Sequence, residues 1–261
     1  MKWNNKPSKV TMLIKVLTLT WLMKYLTNDL WEIGDIIGYL WHFVVWVIHC
    51  VPHRETLSQF IDCLMIRNDD HKIIRRLSSL NALPIINGLS NYSHPCQILS
   101  DLFTINESIG GIKNKQIAWI GDYNNVLRSL IQLQNLYQFK LNIVMPKEIL
   151  KQNKSKIIKS INKNLMITDK IKDGVKCVDC VMTDVWVSMG ESSSKKKYFK
   201  NYQVNSEVIK VANKEAIFMH CLPAHRDEEV SSELLDSKKS VVWRQAQNRM
   251  YVQQAIILEL L

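Results

Sequence analysis

The sequence lacks any long uncharged apolar run. The nearest candidate, YLWHFVVWVIHCVP at residues 39–52, falls short of the roughly 18 residues that a membrane span needs, and His42 and His49 interrupt it. The N-terminus has no small-residue cleavage site, so we expect neither a membrane span nor a signal peptide. Attachment of residues 10–52 to a membrane surface is a weaker alternative, because their apolar residues do not form a clean helical face.

The sequence also lacks a cysteine spacing typical of disulfide frameworks. Its six cysteines are scattered, which favours a reducing compartment, and we expect a cytoplasmic protein. Cys177 and Cys180 form a Cys-x-x-Cys pair without a second pair nearby, whereas a structural zinc site needs about four ligands. Cys180 falls inside a predicted strand, which argues against a redox pair, and no metal is predicted.

The sequence has fewer acidic than basic residues. The chain has 24 acidic residues against 34 lysines and arginines, which gives a formal net charge of +10. Such a balance favours anionic partners, among them nucleic acid, acidic lipid and phosphate-bearing small molecules. The lysines are scattered and no nucleic-acid recognition motif is present, so nucleic acid is not expected as a partner.

The chain changes character near residue 54. Residues 1–53 contain five of the eight tryptophans and keep neither a strand-like period of 2 nor a helical period of 3.6. From there on, short apolar runs alternate with amphipathic stretches. The predicted strands are 60–67 (buried), 82–89, 114–125 with a polar turn at its end, 141–146, 178–184, 216–221 and 240–243.

Helices are predicted between several of these strands. In the stretch 93–105, Ser93 can cap the helix and Pro95 suits its first turn. Apolar residues at helical spacing from Val126 to Tyr137 predict a second helix, and the chain closes with an amphipathic helix at 247–261. The alternation predicts an α/β fold with a doubly wound parallel sheet.

Polar residues follow three of the predicted strands. They are Asp122 to Asn125, Asp184 to Ser188, and His220 to Leu222. Ligands of open parallel sheets bind beyond the carboxyl ends of the strands, so these groups are expected to line one crevice. Their carboxylate, amide, hydroxyl, thiol and imidazole groups suit a small polar substrate that carries an amine. On its own, the turn at His220 is compatible with a metal site, a thiol nucleophile or an anion site.

A second group of residues is basic. Arg67 ends a predicted strand, and His94 and Gln97 lie in the first turn of a predicted helix, where free backbone N–H groups favour an anion. Arg249 is expected at the beginning of the last helix. A phosphate or a carbamoyl-phosphate-like anion would fit this set.

Several segments, taken in order, resemble the signature segments of the ornithine carbamoyltransferase family. They are MIR (65–67), NGLS (87–90), HPCQ (94–97), WIGDYNN (119–125), DVWVSMGE (184–191), HCLPAHR (220–226) and QNRMYVQQAI (247–256). The resemblance covers about residues 54–261. The combination of HCLP with SMG is typical of the ornithine enzyme rather than of its aspartate-using relative.

The resemblance implies a division into domains and a reaction. Residues 54–106, with the helix 247–261 packed back on them, would be an incomplete carbamoyl-phosphate domain, and 107–246 the ornithine-binding domain. The family transfers a carbamoyl group from carbamoyl phosphate to the side-chain amine of L-ornithine, giving L-citrulline and phosphate. It requires no cofactor, serves arginine metabolism and forms homotrimers.

The resemblance also implies roles for single residues. Carbamoyl phosphate would be bound by Arg67, His94, Gln97, Cys221, Leu222 and Arg249. Ornithine would be bound by Asn125, Asp184, Ser188 and Met189. Asp184 and Cys221 would be the catalytic pair that orients the attacking amine, with Cys221 as a polar contact and not as a nucleophile. The polar segment ESSSKKKYFK (191–200) would be a mobile loop that closes over ornithine.

One family segment has no counterpart in the chain. The family binds phosphate chiefly through Ser-Thr-Arg-Thr-Arg near its N-terminus, and this segment is missing from the sequence. Residues 1–53 are therefore expected to be out of frame or replaced, in a chain that is truncated relative to the family. Two interpretations follow: a carbamoyltransferase, or a catalytically inactive remnant that keeps an amino-acid-binding domain.

Overall fold

The computed structural model describes residue 58 and residues 61–137, 139–158, 162–188 and 192–261. The atypical segment 1–53 and Met189, which the sequence analysis singled out, lie outside the described residues. Within this described part, none of the helices has the length and apolar character that crossing a bilayer requires.

Strands and helices alternate along the described chain. The strands are β1 Leu64–Arg67, β2 Ile85–Leu89, β3 Gln116–Ile120, β4 Lys140–Val144, β5 Leu165–Thr168, β6 Cys180–Thr183 and β7 Ile217–His220. The helices are α1 His71–Ser79, α2 Pro95–Ile109, α3 Asn125–Tyr137, α4 Lys147–Ile158, α5 Ile171–Val175, α6 Ser206–Val211, α7 Ser232–Leu235 and α8 Val242–Leu260. A 3-10 helix covers Ser193–Tyr198.

The larger sheet confirms the prediction of a doubly wound parallel fold. Its five strands lie in the order β5-β4-β3-β6-β7, and every neighbouring pair is parallel. After β3 the chain adds β4 and β5 on one side of β3, and then crosses back to place β6 and β7 on the other side. The carboxyl ends of β3 and β6 flank this change of direction, which is where open α/β sheets bind their ligands.

Apolar side chains cover both faces of this sheet. Trp119 and Leu127 belong to the buried cluster on one face, and Phe218 and Leu234 to the cluster on the other. All four residues of β6 and all four of β7 are buried, as expected of strands with helices on both sides. Rigid strand ends of this kind hold the loops that follow them in fixed positions.

A smaller sheet is formed by β1 and β2, which pair in parallel. The prediction of a buried strand over 60–67 is wrong in length and in burial, because β1 begins at Leu64 and its residues are alternately half-buried and exposed. With a single partner strand, β1 has an edge and a face without cover in the described part. Arg67 ends β1 as predicted and is exposed.

The helix α2 begins at Pro95, as predicted, but its N-cap is His94 and not Ser93. The Ser93 hydroxyl accepts a hydrogen bond from Nδ2 of Asn87 instead, so it is already engaged when the helix begins. The backbone N–H of His94 donates to the hydroxyl of Ser129 on α3, which fastens this turn to the larger sheet's helix layer.

The predictions for the chain's last fifty residues need two corrections. Residues 240–243 are not a strand: the backbone N–H of Val241 donates to Phe218 in one isolated bridge, and α8 begins at Val242. A short β-branched run does not distinguish a strand from a buried helix start. Arg249 consequently lies well inside α8 and not at its beginning. The helix α8 packs against α2, where Nδ2 of Asn248 donates to Oγ1 of Thr104.

Candidate active site

The carboxylate of Asp184 occupies the switch point of the sheet. It follows β6, is 8% exposed, and accepts a hydrogen bond on Oδ2 from Nδ2 of Asn124, which follows β3, at 2.6 Å. Its other oxygen accepts from the Cys221 thiol at 2.9 Å and from the backbone N–H of Val185 at 2.8 Å. The polar ends of three adjacent strands therefore come together at one edge of the sheet, as the sequence predicted.

The side chain of Asn124 connects Asp184 to the first turn of α3. Its Oδ1 accepts from the backbone N–H groups of Val126 and Leu127, so its Nδ2 must point toward Asp184. The next residue faces elsewhere: Nδ2 of Asn125 donates to the Ser90 carbonyl, beside the His-Pro-Cys-Gln segment. Of the two asparagines, Asn125 was predicted from the sequence, whereas the contact with Asp184 belongs to Asn124.

The thiol of Cys221 is a neutral hydrogen-bond donor. Burial and the neighbouring carboxylate of Asp184 raise the thiol pKa well above its ordinary value. A thiol becomes a nucleophile only as the thiolate, so this environment disfavours attack by sulfur. In the structure the thiol is a polar contact of Asp184.

The turn that carries Cys221 is built on His220. Nε2 of His220 contacts Oε1 of the fully buried Glu229 at 3.1 Å, while its Nδ1 accepts from the backbone N–H of Leu222 at 2.9 Å. The second contact fixes the tautomer, since Nδ1 accepts and Nε2 must donate. Hydrogen bonds from His220 and from the His225 backbone outweigh the effect of burial and lower the pKa of the Glu229 carboxyl.

Donor atoms of Asp184, His220 and Cys221 lie within 4.8 Å of one another, as metal ligands would. Both ring nitrogens of His220 are already engaged by Glu229 and Leu222. The arrangement is therefore that of a hydrogen-bonded turn, and the set does not fit a metal ion without breaking these bonds.

The basic group also comes together. Nη1 of Arg249 donates to Oε1 of Gln97 at 2.7 Å, and His94 lies one turn before Gln97 at the start of α2. Burial, Arg249 and Arg67 together lower the pKa of His94 to about 4, so the imidazole is neutral at pH 7. Nδ1 of His94 is buried without a hydrogen-bond partner among the described residues. Two guanidinium groups near an uncharged imidazole and a carboxamide suit an anion that carries a polar uncharged end.

A buried acid that the sequence analysis missed lies beneath this group. Asp101, on α2, accepts hydrogen bonds from Nε2 of Gln97 and from Nε2 of Gln245. Burial raises the pKa of Asp101 to about 7, against the opposing effect of those two amides and of Arg249. The position of Asp101 four residues after Gln97 could have indicated a contact between the two on one face of a helix. Its separation of 144 residues from Gln245 gives no such indication.

The lysine-rich segment contacts the rim of the crevice. Nζ of Lys195, in the 3-10 helix, lies 2.6 Å from Oδ2 of the nearly buried Asp122, which follows β3. Lys196 pairs with Glu228, which is half-buried. Ser188, a predicted ornithine contact, is half-buried on the segment between Asp184 and this helix. The segment is thus fastened beside the site in the described structure.

The fold is that of a parallel α/β protein, and the polar side chains at the switch point of its sheet form a candidate small-molecule site. One side of the site offers a carboxylate for an amine, and the other offers guanidinium groups for an anion. Transferases that join an amine to a group activated by phosphate have these requirements.

Comparison with known proteins gives the particular family. The profile described as "Aspartate/ornithine carbamoyltransferase, Asp/Orn binding domain" matches residues 113–260, and that of the carbamoyl-P binding domain matches residues 53–107. The chain belongs to the aspartate/ornithine carbamoyltransferase family.

Individual relatives agree with this assignment. The chain is 45% identical over 208 residues to the ornithine carbamoyltransferase of Ruthia magnifica, covering 78% of this chain and 69% of the relative. The corresponding enzyme of Rhodopseudomonas palustris is 42% identical over 206 residues, covering 78% and 66%. The solved structure of the Burkholderia thailandensis enzyme superposes with a TM-score of 0.72 at 37% identity, over 81% of this chain and 69% of that one. The chain thus spans about two thirds of the length of these relatives.

Proposed function

We propose that the chain transfers a carbamoyl group from carbamoyl phosphate to the side-chain amine of L-ornithine, giving L-citrulline and phosphate. The observation that carries the proposal is a continuous hydrogen-bonded connection between the two halves of the site. It runs from Arg249 through Gln97, Asp101 and Gln245 to the backbone of His220, next to Cys221. Relatives that are 45% and 42% identical to this chain are named ornithine carbamoyltransferase.

In the proposed reaction the amine attacks as the free base. Its nitrogen forms a bond to the carbamoyl carbon while the bond from that carbon to the phosphate oxygen breaks, and phosphate leaves with the bonding electrons. Asp184 accepts a hydrogen bond from the amine and thereby directs the lone pair of the amine nitrogen toward the carbamoyl carbon. The Cys221 thiol holds the Asp184 carboxylate in position. The proton lost by the amine passes to the departing phosphate or to solvent.

Carbamoyl phosphate is proposed to lie on the opposite side. Arg67 and Arg249 would neutralise the phosphate, and charge-assisted bonds of this kind contribute about 1.5–3 kcal/mol each. The neutral His94 and Gln97 would contact the carbamoyl end, with the Leu222 carbonyl as acceptor for its nitrogen. Leu222 has a φ of 51°, and its N–H donates to Nδ1 of His220, which holds the peptide that precedes this carbonyl.

The amino-acid end of ornithine is proposed to contact Asn125, Ser188 and Met189. These residues lie on the two segments that follow β3 and β6, so a ligand between them would extend across the switch point. The Lys195–Asp122 pair would hold the second segment near the first. Assembly as a homotrimer and a cytoplasmic location stay predictions.

The proposal is tested by identifying the product. The purified chain is incubated with carbamoyl phosphate and ornithine, and in parallel with carbamoyl phosphate and aspartate, and the products are analysed by mass spectrometry. We expect citrulline from ornithine and no carbamoylaspartate. Carbamoylaspartate as the main product would reject the assignment of substrate.

A second candidate is binding of ornithine without transfer. The absence of a Ser-Thr-Arg-Thr-Arg segment favours it, because fewer charged groups then remain for the phosphate. Titration calorimetry separates the two candidates: ornithine binding that is lost in Asp184→Ala, in a chain that forms no citrulline, would support the binding protein.

A further inference from the structure

Asp101 has an unusual environment for an acidic residue. It lies on α2 with 1% of its surface exposed, and its Oδ1 accepts two hydrogen bonds, from Gln97 at 2.8 Å and from Gln245 at 2.7 Å. Its Oδ2 is buried without a hydrogen-bond partner in the described part of the chain. A buried acid with one unpaired oxygen destabilises the fold, so packing alone does not account for it.

The carboxyl group decides which way two side-chain amides face. An oxygen that only accepts requires each glutamine to turn its nitrogen toward Asp101 and its carbonyl oxygen away. The oxygen of Gln97 then accepts from Nη1 of Arg249, and the oxygen of Gln245 accepts from the backbone N–H of His220 at 3.0 Å. Reversal of either amide would place two donors or two acceptors against each other.

We propose that Asp101 is a positioning residue of the transferase site: it fixes the Gln97 amide and through it Arg249, and by way of Gln245 it holds the turn at His220. This inference rests on the proposed function, in which Gln97 and Arg249 bind carbamoyl phosphate. Asp101 itself lies beneath the site and contacts neither substrate.

Three variants test the proposal. Asp101→Ala removes the acceptor, whereas Asp101→Asn keeps one carbonyl oxygen that can accept from both glutamines. Thr104→Val is the matched control, because Thr104 is fully buried one turn further along α2 and also bonds to α8, through Asn248. Within the described part of the chain, the Thr104 hydroxyl bonds to Ser100 and Asn248 and not to Gln97, Gln245 or Arg249, so Thr104→Val is expected to affect stability alone.

Affinity for carbamoyl phosphate is measured by titration calorimetry, together with the thermal midpoint of each variant. We expect Asp101→Ala to bind at least tenfold more weakly, Asp101→Asn to stay within threefold of the unmodified chain, and Thr104→Val to bind normally at a lowered midpoint. Normal binding by Asp101→Ala, or equal weakening in Thr104→Val, would overturn the proposal.

A readout without ligand keeps this test separate from the proposed function. Crystal structures of the unmodified chain and of Asp101→Ala are compared at Gln97, Arg249 and His220. The proposal expects the Gln97–Arg249 contact to be lost and the His220 turn to move; unchanged geometry would overturn it. If the unmodified chain binds no carbamoyl phosphate, the proposed function fails while this comparison still decides the role of Asp101.

Discussion

The Cys221 thiol donates to the Asp184 carboxylate across 2.9 Å, which joins the ends of two neighbouring strands. Their strands, β6 and β7, are fully buried, so the pair is held by rigid elements. The carboxylate accepts three hydrogen bonds from the protein, which leaves one lone pair on Oδ2 for a substrate amine. The thiol beside it acts as a hydrogen-bond donor.

Cys221→Ser should weaken the use of ornithine without abolishing it. A serine hydroxyl can still donate to Asp184, but its shorter bond changes the position of the carboxylate. We expect the KM for ornithine to rise by up to about tenfold, equivalent to about 1.4 kcal/mol, with citrulline still formed. Steady-state kinetics measures this effect. Complete loss of turnover, together with a covalent carbamoyl adduct on the unmodified chain, would show that sulfur is a nucleophile after all.

Glu229→Ala should destabilise the fold through the His220 turn. The change leaves the buried Nε2 of His220 and the partly buried backbone N–H of His225 without their acceptor. We expect the free energy of unfolding in urea to fall by about 2–4 kcal/mol. The neighbouring Glu228→Ala is the control, since its exposed pair with Lys196 should contribute less than about 1 kcal/mol. Equal effects in both variants would contradict the importance of the turn.

Lys195→Met should loosen the segment beside the crevice. The carboxylate of Asp122, which is 5% exposed, would lose a cation 2.6 Å away. We expect faster proteolysis within 192–198 and a rise of several-fold in the KM for ornithine. Lys196→Met, in the same helix but with the more accessible partner Glu228, should change neither quantity by more than twofold. An unchanged cleavage rate in Lys195→Met would argue against the contact.

Asp101→Asn should alter the dependence of stability on pH. In the native chain this carboxyl keeps its proton up to about pH 7, whereas in an unfolded chain it loses it near pH 4. The native state binds more protons between these values, so the stability due to this group falls as the pH rises through that window. The asparagine variant lacks this pH-dependent contribution, so its free energy of unfolding relative to that of the unmodified chain should increase by about 2–4 kcal/mol from pH 4 to pH 7.

His94 contributes to the pH dependence of stability in the opposite direction, and comparing the unmodified chain with Asp101→Asn cancels this contribution. Because the pKa of His94 is lowered to about 4, the unfolded chain binds the proton first and stability is lost as the pH falls from about 6.5 toward 4. Both proteins share this effect. Denaturant unfolding curves at several pH values give the difference, and a difference that does not change with pH would contradict a raised pKa for Asp101.

The sequence was most informative where strand ends carry polar residues. Asp184 and Cys221 could be placed together because the carboxyl ends of parallel strands lie at one edge of the sheet. The family segments predicted Gln97 and Arg249 as partners of one ligand, and in the structure their side chains are hydrogen-bonded to each other. Asn124 and Asn125 could not be distinguished, because their opposite directions depend on how α3 begins.

Other features depend on contacts between distant segments. The partners Gln245 and Asp101 are separated by 144 residues, and no local pattern marks such a pair. The prediction of a strand at 240–243 was wrong for a related reason. A short run with valines fits a strand and the start of a buried helix equally well. In the structure the run lies beside Phe218 and leads into the helix α8.

The most direct test of the account is the rate of citrulline formation by the purified chain, compared with that of Asp184→Asn. The account predicts measurable turnover in the unmodified chain. It also predicts a loss of at least about 100-fold in the variant, because the amide cannot accept from the amine as the carboxylate does. Equal rates in the two proteins would contradict the placement of the ornithine amine at Asp184.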